Sequence, residues 1–223
     1  MNLAVFDIDG TLVKYHRKRN DQAFVHAVKE MLGLTIEDGW SGFIHSTDSG
    51  IFSELIEKNM GRSCTVRDIG EFKKCMTVWL EKEYGADPFA GITGAQDCLK
   101  ELSKDPHWAL AIGTGNWEFS GRFKLQSAGI NALEIPFASA DDGVKRDWIL
   151  QMAFSRAKKA VHANKFEKIV YVGDWVWDVQ AAKALGWKFI GIGTGDSEKT
   201  LRQAGAEQVW PDFAGMVQQL NKV

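Results

Sequence analysis

Apolar and polar positions change rhythm along the chain. Leu3 to Phe6 is a short apolar run that ends in the turn Asp7-Ile8-Asp9-Gly10, the pattern of a strand opening into a loop. Leu12 and Val13 continue past that turn. From about Lys14 the spacing becomes helical. Phe24, Val25, Val28, Met31 and Leu32 predict an amphipathic helix over residues 21–32. Thr47-Asp48-Ser49 reads as an N-cap region for a second helix through Ile51, Phe52, Leu55, Ile56 and Met60, stopped at Gly61. Phe72, Met76, Trp79, Leu80 and Tyr84 form the stripe of a third over residues 68–84, with Gly85 and Pro88 ending it. No convincing strand falls in this block.

The remainder alternates. Helices are predicted over residues 93–103, 119–128, 147–161, 176–185, 198–204 and 213–220. Between them, apolar runs predict strands at residues 108–113, 133–138, 169–172, 188–192 and 208–210. Continuously apolar strands alternating with helices imply an α/β fold, a Rossmann-like parallel sheet covered on both faces. Residues 1–13 and 89–223 then form the core domain, and residues 14–88 a small all-helical domain inserted after the first strand.

Parallel sheets place their sites beyond the carboxyl ends of the strands. The residues there are Asp7-Ile8-Asp9-Gly10, Thr114-Gly115-Asn116, Gly173-Asp174 and Gly191-Ile192-Gly193. Carboxylates from two separate loops would meet at one rim, and buried carboxylates that close need a cation. Magnesium suits an all-oxygen, partly hydrated site.

Composition narrows the classes. The chain has 223 residues, 45% hydrophobic and 25% charged, as expected of an ordered globular protein. Its 27 basic and 29 acidic residues give a formal charge of -2, which offers no steering field for nucleic acid. Three cysteines, Cys64, Cys75 and Cys98, lack the companions of a zinc site and suit reduced thiols in the cytoplasm. The start has no basic n-region, which argues against a signal peptide, and no apolar run is long enough to span a bilayer. No membrane partner is expected, and the chain is expected to be a monomer or homodimer. A nucleotide-binding reading of Gly191 to Gly195 fails because the lysine comes too late and the glycines follow a late strand.

The string FDIDGTL resembles the first motif of the haloacid-dehalogenase-like superfamily, most of whose members are phosphatases. LAIGTGN, residues 110–116, resembles the second motif, with Thr114 in its Ser/Thr place. VYVGDWVWD resembles the fourth, giving Asp174 and Asp178. In DDGVKRDWIL the basic residue of the third motif falls on Arg146, with Lys145 the runner-up. The helical insertion matches the cap that relatives carry between the first two motifs. The resemblance covers nearly the whole chain and is to phosphoglycolate phosphatase-like members.

That resemblance implies a mechanism. Asp7 would attack phosphorus and form an aspartyl-phosphate, and Asp9 would protonate the leaving oxygen and later deprotonate water. Thr114 and the amide of Gly115 would hold phosphoryl oxygens, with Asn116 orienting the loop, and Arg146 would neutralise charge. Mg²⁺ would be bound by Asp7, Asp9 through its backbone carbonyl, and Asp174. Asp178 would be a ligand through water or a support for the basic residue. The substrate would be a small phosphate ester, phosphoglycolate-like or a sugar phosphate. A phosphomutase, a 2-haloacid dehalogenase and a non-catalytic module are the alternatives, and Asp9 counts against the dehalogenase.

The inserted block adds further candidates. His45-Ser46-Thr47-Asp48 resembles a cap loop that is usually Gly-Lys-Thr-Asp, which makes His45 and Thr47 candidate substrate contacts; the plainer reading is a helix N-cap. Losing that lysine weakens the case for a substrate with a second anion. The basic run His16 to Arg19 reads as a solvated linker or an entrance contact. Nine tryptophans are more than expected. Trp175 is placed at the cap interface near substrate, Trp117 facing the cap, and Trp177 packed under the sheet. Trp40 and Trp79 fit either a pocket or a core.

Overall fold

The computed structural model describes residues 1–16, 21–36, 40 and 42–220. Arg17, Lys18 and Arg19 of the basic run, read as a solvated linker or an entrance contact, lie outside the described residues.

Six strands form one parallel sheet: β1 (Asn2–Phe6), β2 (Trp108–Gly113), β3 (Phe137–Ala138), β4 (Ile169–Gly173), β5 (Lys188–Ile192) and β6 (Gln208–Trp210). Their order is β3-β2-β1-β4-β5-β6. The chain leaves β1 toward β2 and β3 on one side, then returns to build β4, β5 and β6 on the other. The boundary between β1 and β4 is therefore the point where connections diverge, and a crevice opens there. Phe6 is in register with both Ile112 and Val172, so Asp7 leaves β1 level with Gly113 and Gly173, the last residues of β2 and β4.

The helices are α1 (Gln22–Leu32), α2 (Asp48–Met60), α3 (Val66–Tyr84), α4 (Ala95–Leu102), α5 (Glu118–Ser127), α6 (Arg146–Ala160), α7 (Val176–Leu185), α8 (Asp196–Gln203) and α9 (Met216–Leu220). Strand side chains alternate between faces. Ala4, Phe6, Ile112, Val170 and Val172 join α4, α5, α9 and the inserted helices in one apolar cluster. Leu3, Val5, Ala109, Ala111 and Tyr171 pack on α6 and α7 in a second. Burial of each such Leu or Phe contributes roughly 1.5–3 kcal/mol.

The insertion holds α1, α2 and α3. Its two connections run side by side: Lys14 N–H donates to the Ala90 carbonyl at 2.8 Å and Ile92 N–H to that of Leu12 at 2.9 Å. Its apolar centre is aromatic. Phe72 lies 4.9 Å from Phe24 and 4.2 Å from Phe52 between ring centroids, and all three surround Trp117 from the loop after β2. Trp117 thus faces the inserted helices and is fully buried.

Element boundaries depart from the sequence reading at identifiable places. Helix α3 starts at Val66 because Thr65 and Asp68 form a capping box. The strand expected over residues 133–138 shrinks to Phe137–Ala138, since Leu133 is solvent-exposed and Pro136 has no N–H for the ladder. The last helix begins at Met216 rather than Phe213, because the Asp212 carboxylate accepts from Ala214 N–H and Gly215 takes φ 72°, forming a turn first.

Candidate active site

The loop after β1 turns sharply at Gly10, whose φ is 73°. A Cβ there would sit 1.9 Å from Oδ2 of Asp174, so glycine admits both the turn and the neighbouring loop. That loop follows β4, and helix α7 starts immediately beyond it. Asp178, in the first turn of α7, is completely buried. Its Oδ2 accepts from the backbone N–H groups of Trp175 at 3.0 Å and Asp174 at 3.3 Å. Its Oδ1 accepts from Tyr171 Oη at 2.8 Å and faces Arg146 Nη1 at 3.1 Å.

Asp7, Asp174 and Asp178 each offer a carboxylate oxygen, and these oxygens lie within 4.8 Å of one another. Burial raises the Asp7 carboxyl to about 7, against the pull of Arg146 and with the push of Asp178 and Asp9. Asp174 is raised well above the usual carboxylate range by burial, then by Asp178, Asp7 and Asp9. Such shifts mark a site short of positive charge. The donor set is all carboxylate oxygen, with Asp7 and Asp178 buried and Asp174 half-buried, which fits a hard divalent cation.

Arg146 opens α6 and reaches back to this cluster. Its Nη1 lies 3.4 Å from Asp7 Oδ1 and its Nη2 donates to the Ser46 carbonyl at 3.3 Å. Burial opposes its charge, but Asp178, Tyr171 and Asp7 outweigh that and keep it protonated. Its Nε is buried without a hydrogen-bond partner. Lys145 caps the same helix, is exposed, and points its contacts to an adjoining shallow depression.

The loop after β2 supplies the other wall. Thr114 Oγ1 accepts from Asn116 Nδ2 at 2.9 Å. The same amide nitrogen donates to Asp9 Oδ2 at 2.8 Å. Lys124 of α5 donates to that oxygen at 2.5 Å and to Asn116 Oδ1 at 2.8 Å. Gly115 leaves room for Arg146, since a Cβ would approach Nη2 to 2.6 Å and the Ser46 carbonyl to 2.9 Å.

A cavity of about 210 Å³ lies over these groups, roofed by the insertion. Of the residues expected at the site, Asp7, Asp9, Thr114, Gly115, Asn116, Arg146, Asp174 and Trp175 line it. His45, Thr47 and Lys145 instead border the adjoining depression. Thr47 serves as the N-cap of α2, accepting from Gly50 N–H and donating to the Val144 carbonyl at 2.8 Å, so its one hydroxyl proton is already committed.

Trp177 was expected under the sheet and is not there. The buried face of α7 runs through Asp178, Val179, Ala181 and Ala182, which turns Trp177 toward the crevice. It lines the cavity, 5.6 Å from Trp175 and 5.9 Å from the Arg146 guanidinium carbon. Trp40 also lines the cavity and donates to Asp21 Oδ2 at 2.8 Å, whereas Trp79 stacks on His26 and bonds Glu30 on the insertion.

The profile of the haloacid dehalogenase-like hydrolases matches residues 4–192, nearly the whole β1-to-β5 span. The chain belongs to that family. Solved structures agree in fold with this haloacid dehalogenase-like hydrolase. A hydrolase from Pseudomonas syringae is 20% identical with a TM-score of 0.73, covering 100% of this chain and 99% of its own. A predicted phosphoglycolate phosphatase from Haemophilus somnus is 19% identical with a TM-score of 0.66, covering 98% and 97%. A HAD family hydrolase from Deinococcus radiodurans, with bound phosphate and sodium, is 18% identical with a TM-score of 0.56, covering 99% and 95%. No curated protein sequence matches the chain. This haloacid dehalogenase-like hydrolase carries a candidate catalytic aspartate cluster compatible with a divalent metal. Among its described residues, no helix is long and apolar enough to cross a membrane.

Four residues of the site escaped the sequence reading: Tyr15, Asp21, Lys124 and the docking role of Asp48. Tyr15 and Asp21 bond each other at the cavity wall. Asp48 Oδ2 accepts from Trp117 N–H at 2.7 Å. Lys124 falls on the same inward face of α5 as Ser120, Gly121 and Leu125, a face that only the fold defines.

Proposed function

We propose that this protein is a phosphohydrolase of a small phosphate monoester, working through an aspartyl-phosphate on Asp7. The observation that carries the reading is the convergence of Asp7, Asp174 and Arg146 on the floor of one roofed cavity, with Asp9 beside them.

Asp7 and Asp174, with the backbone carbonyl of Asp9, would hold Mg²⁺, while Asp178 steadies Arg146 from behind. When bound, the ion supplies Lewis-acid neutralisation of phosphate charge and favours the ionised form of Asp7. A carboxylate oxygen of Asp7 attacks phosphorus as the phosphorus–oxygen bond to the alcohol breaks. The alcohol oxygen leaves with a proton from Asp9. Water then attacks the aspartyl-phosphate and gives its proton to Asp9. The bond from phosphorus to Asp7 breaks, inorganic phosphate leaves, and the Asp7 carboxylate returns. Arg146 and the amide of Gly115 balance charge on the transferring group.

The chamber favours an alcohol portion without a second anion. Asp21 and Asp48 face it, and Trp40 and Trp175 wall it. Among the described residues, its two cations, Lys124 and Arg146, already meet carboxylates. A sugar phosphate suits that chemistry better than phosphoglycolate, whose carboxylate would approach Asp21 and Asp48. Three free cysteines suit a reducing compartment, the cytoplasm.

The test is a panel of phosphate esters with Mg²⁺. Turnover is expected to vanish in Asp7→Asn and in excess EDTA, returning with Mg²⁺ in the second case. Sugar phosphates are expected to exceed phosphoglycolate in kcat/KM. Phosphate release surviving in pure Asp7→Asn protein would contradict the reading.

A further inference from the structure

Lys124 is a buried cation for which the reaction above has no use. It is 3% exposed, on a helix that otherwise turns Ser120, Gly121 and Leu125 inward. Desolvating an ammonium is costly unless partners compensate. Here they do. Its Nζ donates to Asp9 Oδ2 at 2.5 Å and to Asn116 Oδ1 at 2.8 Å. Burial works against its protonated form, but the charges of Asp9, Asp21 and Asp48 outweigh that effect.

The arrangement is a closed ring. Asn116 receives Lys124 on its oxygen and uses its nitrogen to donate to the same Oδ2 of Asp9, at 2.8 Å. That nitrogen also bonds Thr114 Oγ1 at 2.9 Å, tying the ring to the loop after β2. Two donors converging on one oxygen fix the rotation of the Asp9 carboxylate about its last bond. A lone donor would leave that rotation soft, because terminal carboxylate torsions have broad, shallow wells. Two of the three carboxylates around Lys124, Asp21 and Asp48, belong to the insertion, while Lys124, Asn116 and Asp9 belong to the sheet side.

We propose that Lys124 is a positioning residue for Asp9: with Asn116 it fixes the rotation of that carboxylate, so that the departing alcohol meets its proton donor in one defined orientation. This rests on the reading of Asp9 as the acid. Lys124 touches neither phosphate nor alcohol in this role. Its contribution scales with how much help the leaving group needs. An alkoxide, strongly basic, needs the proton in the transition state, whereas p-nitrophenolate leaves without it.

The experiment measures kcat/KM for a series of phosphate esters running from p-nitrophenyl phosphate through phenyl phosphate to alkyl phosphates. This ratio covers the steps up to departure of the alcohol and omits breakdown of the aspartyl-phosphate. Lys124→Met is expected to lower it by about 30-fold for alkyl esters and by about threefold for p-nitrophenyl phosphate, a part of the 10²- to 10⁴-fold a general acid supplies. Lys124→Arg, which restores a charged donor, is expected to recover part of the loss for alkyl esters only. A uniform loss across the series in folded protein would assign Lys124 a structural role and overturn the proposal. Thermal melting identifies a variant that does not fold, and Lys124→Gln is then read in the same series. Asp9→Asn separates the two levels. If it leaves the leaving-group dependence unchanged, the reading of Asp9 fails; if it steepens the dependence and Lys124→Met does not, only the positioning role fails.

Discussion

The carboxylate of Asp48 accepts a hydrogen bond from the backbone N–H of Trp117 at 2.7 Å, joining the first turn of α2 to the loop that carries Thr114. Three more bonds reinforce the junction. Asp48 N–H donates to the Gly115 carbonyl at 2.8 Å, Ser49 Oγ to the Ala140 carbonyl at 2.6 Å, and Trp117 Nε1 to Ser49 Oγ at 2.6 Å. The insertion is therefore seated on the second motif by directed bonds as well as by the aromatic cluster around Trp117.

Removing that seat should loosen the roof of the cavity. Asp48→Ala strands the Trp117 N–H and is expected to cost about 1–3 kcal/mol of stability. Asp48→Asn keeps an acceptor and should cost less. Urea denaturation of the two variants checks the ordering, and equal losses would contradict the role given to the Trp117 bond.

Metal-free protein should lose stability as pH rises. The folded Asp7 and Asp48 carboxyls are pushed to about 7 and Asp21 to about 6, chiefly by burial, from 3.8 in the unfolded chain. Between those values the folded state holds protons that the unfolded chain has released, so stability falls with rising pH. Melting temperature without metal should drop from pH 5 to pH 8. Mg²⁺ should raise it more at the upper end, because cation binding displaces protons from the cluster. A flat profile with no Mg²⁺ effect would contradict this.

Arg146 and Lys145 are adjacent in sequence but sit in different places. Arg146→Ala should reduce kcat/KM by about 10²- to 10³-fold, the scale of losing one charge-stabilising group. Lys145→Ala should change it by less than about twofold. Comparable losses in both would mean that the exposed lysine also reaches the substrate.

Much of the site and fold was legible in the chain. Alternating apolar runs and helices gave the parallel sheet, because strands buried on both faces must be apolar throughout. Acidic groups after β1 and β4 stood out because each directly follows an apolar strand, at the end where a parallel sheet carries its site. What could not be read depended on tertiary partners. The Thr65–Asp68 capping box was visible as a spacing but lay outside the apolar stripe of α3. Lys124 looks like a surface residue until the inward face of α5 is known. Trp177 was misplaced because which face of α7 meets the sheet is set by Asp178, a buried acid that hydropathy puts at the surface. His45 and Thr47 were candidates from a loop resemblance, and the helix-cap reading describes Thr47 as it is.

Gly10 offers a test of how tightly the two acidic loops meet. Gly10→Ala forces a Cβ against Asp174 and an unfavourable φ at once, whereas Gly129→Ala, at φ 71° with open space around it, carries only the strain. The strain alone is about 1–2 kcal/mol. Both variants should be destabilised, but only Gly10→Ala should lose Mg²⁺ affinity, measured by calorimetry. Retained affinity in Gly10→Ala would place the metal elsewhere.

The most direct measurement traps the covalent intermediate. Protein turning over a phosphate ester with Mg²⁺ is quenched in acid, reduced with borohydride, and mapped by peptide mass spectrometry. Reductive modification at Asp7, absent without substrate, is the expected result. Modification at another carboxylate, or none at all while turnover continues under conditions that stabilise acyl phosphates, would contradict the assignment of Asp7 as nucleophile.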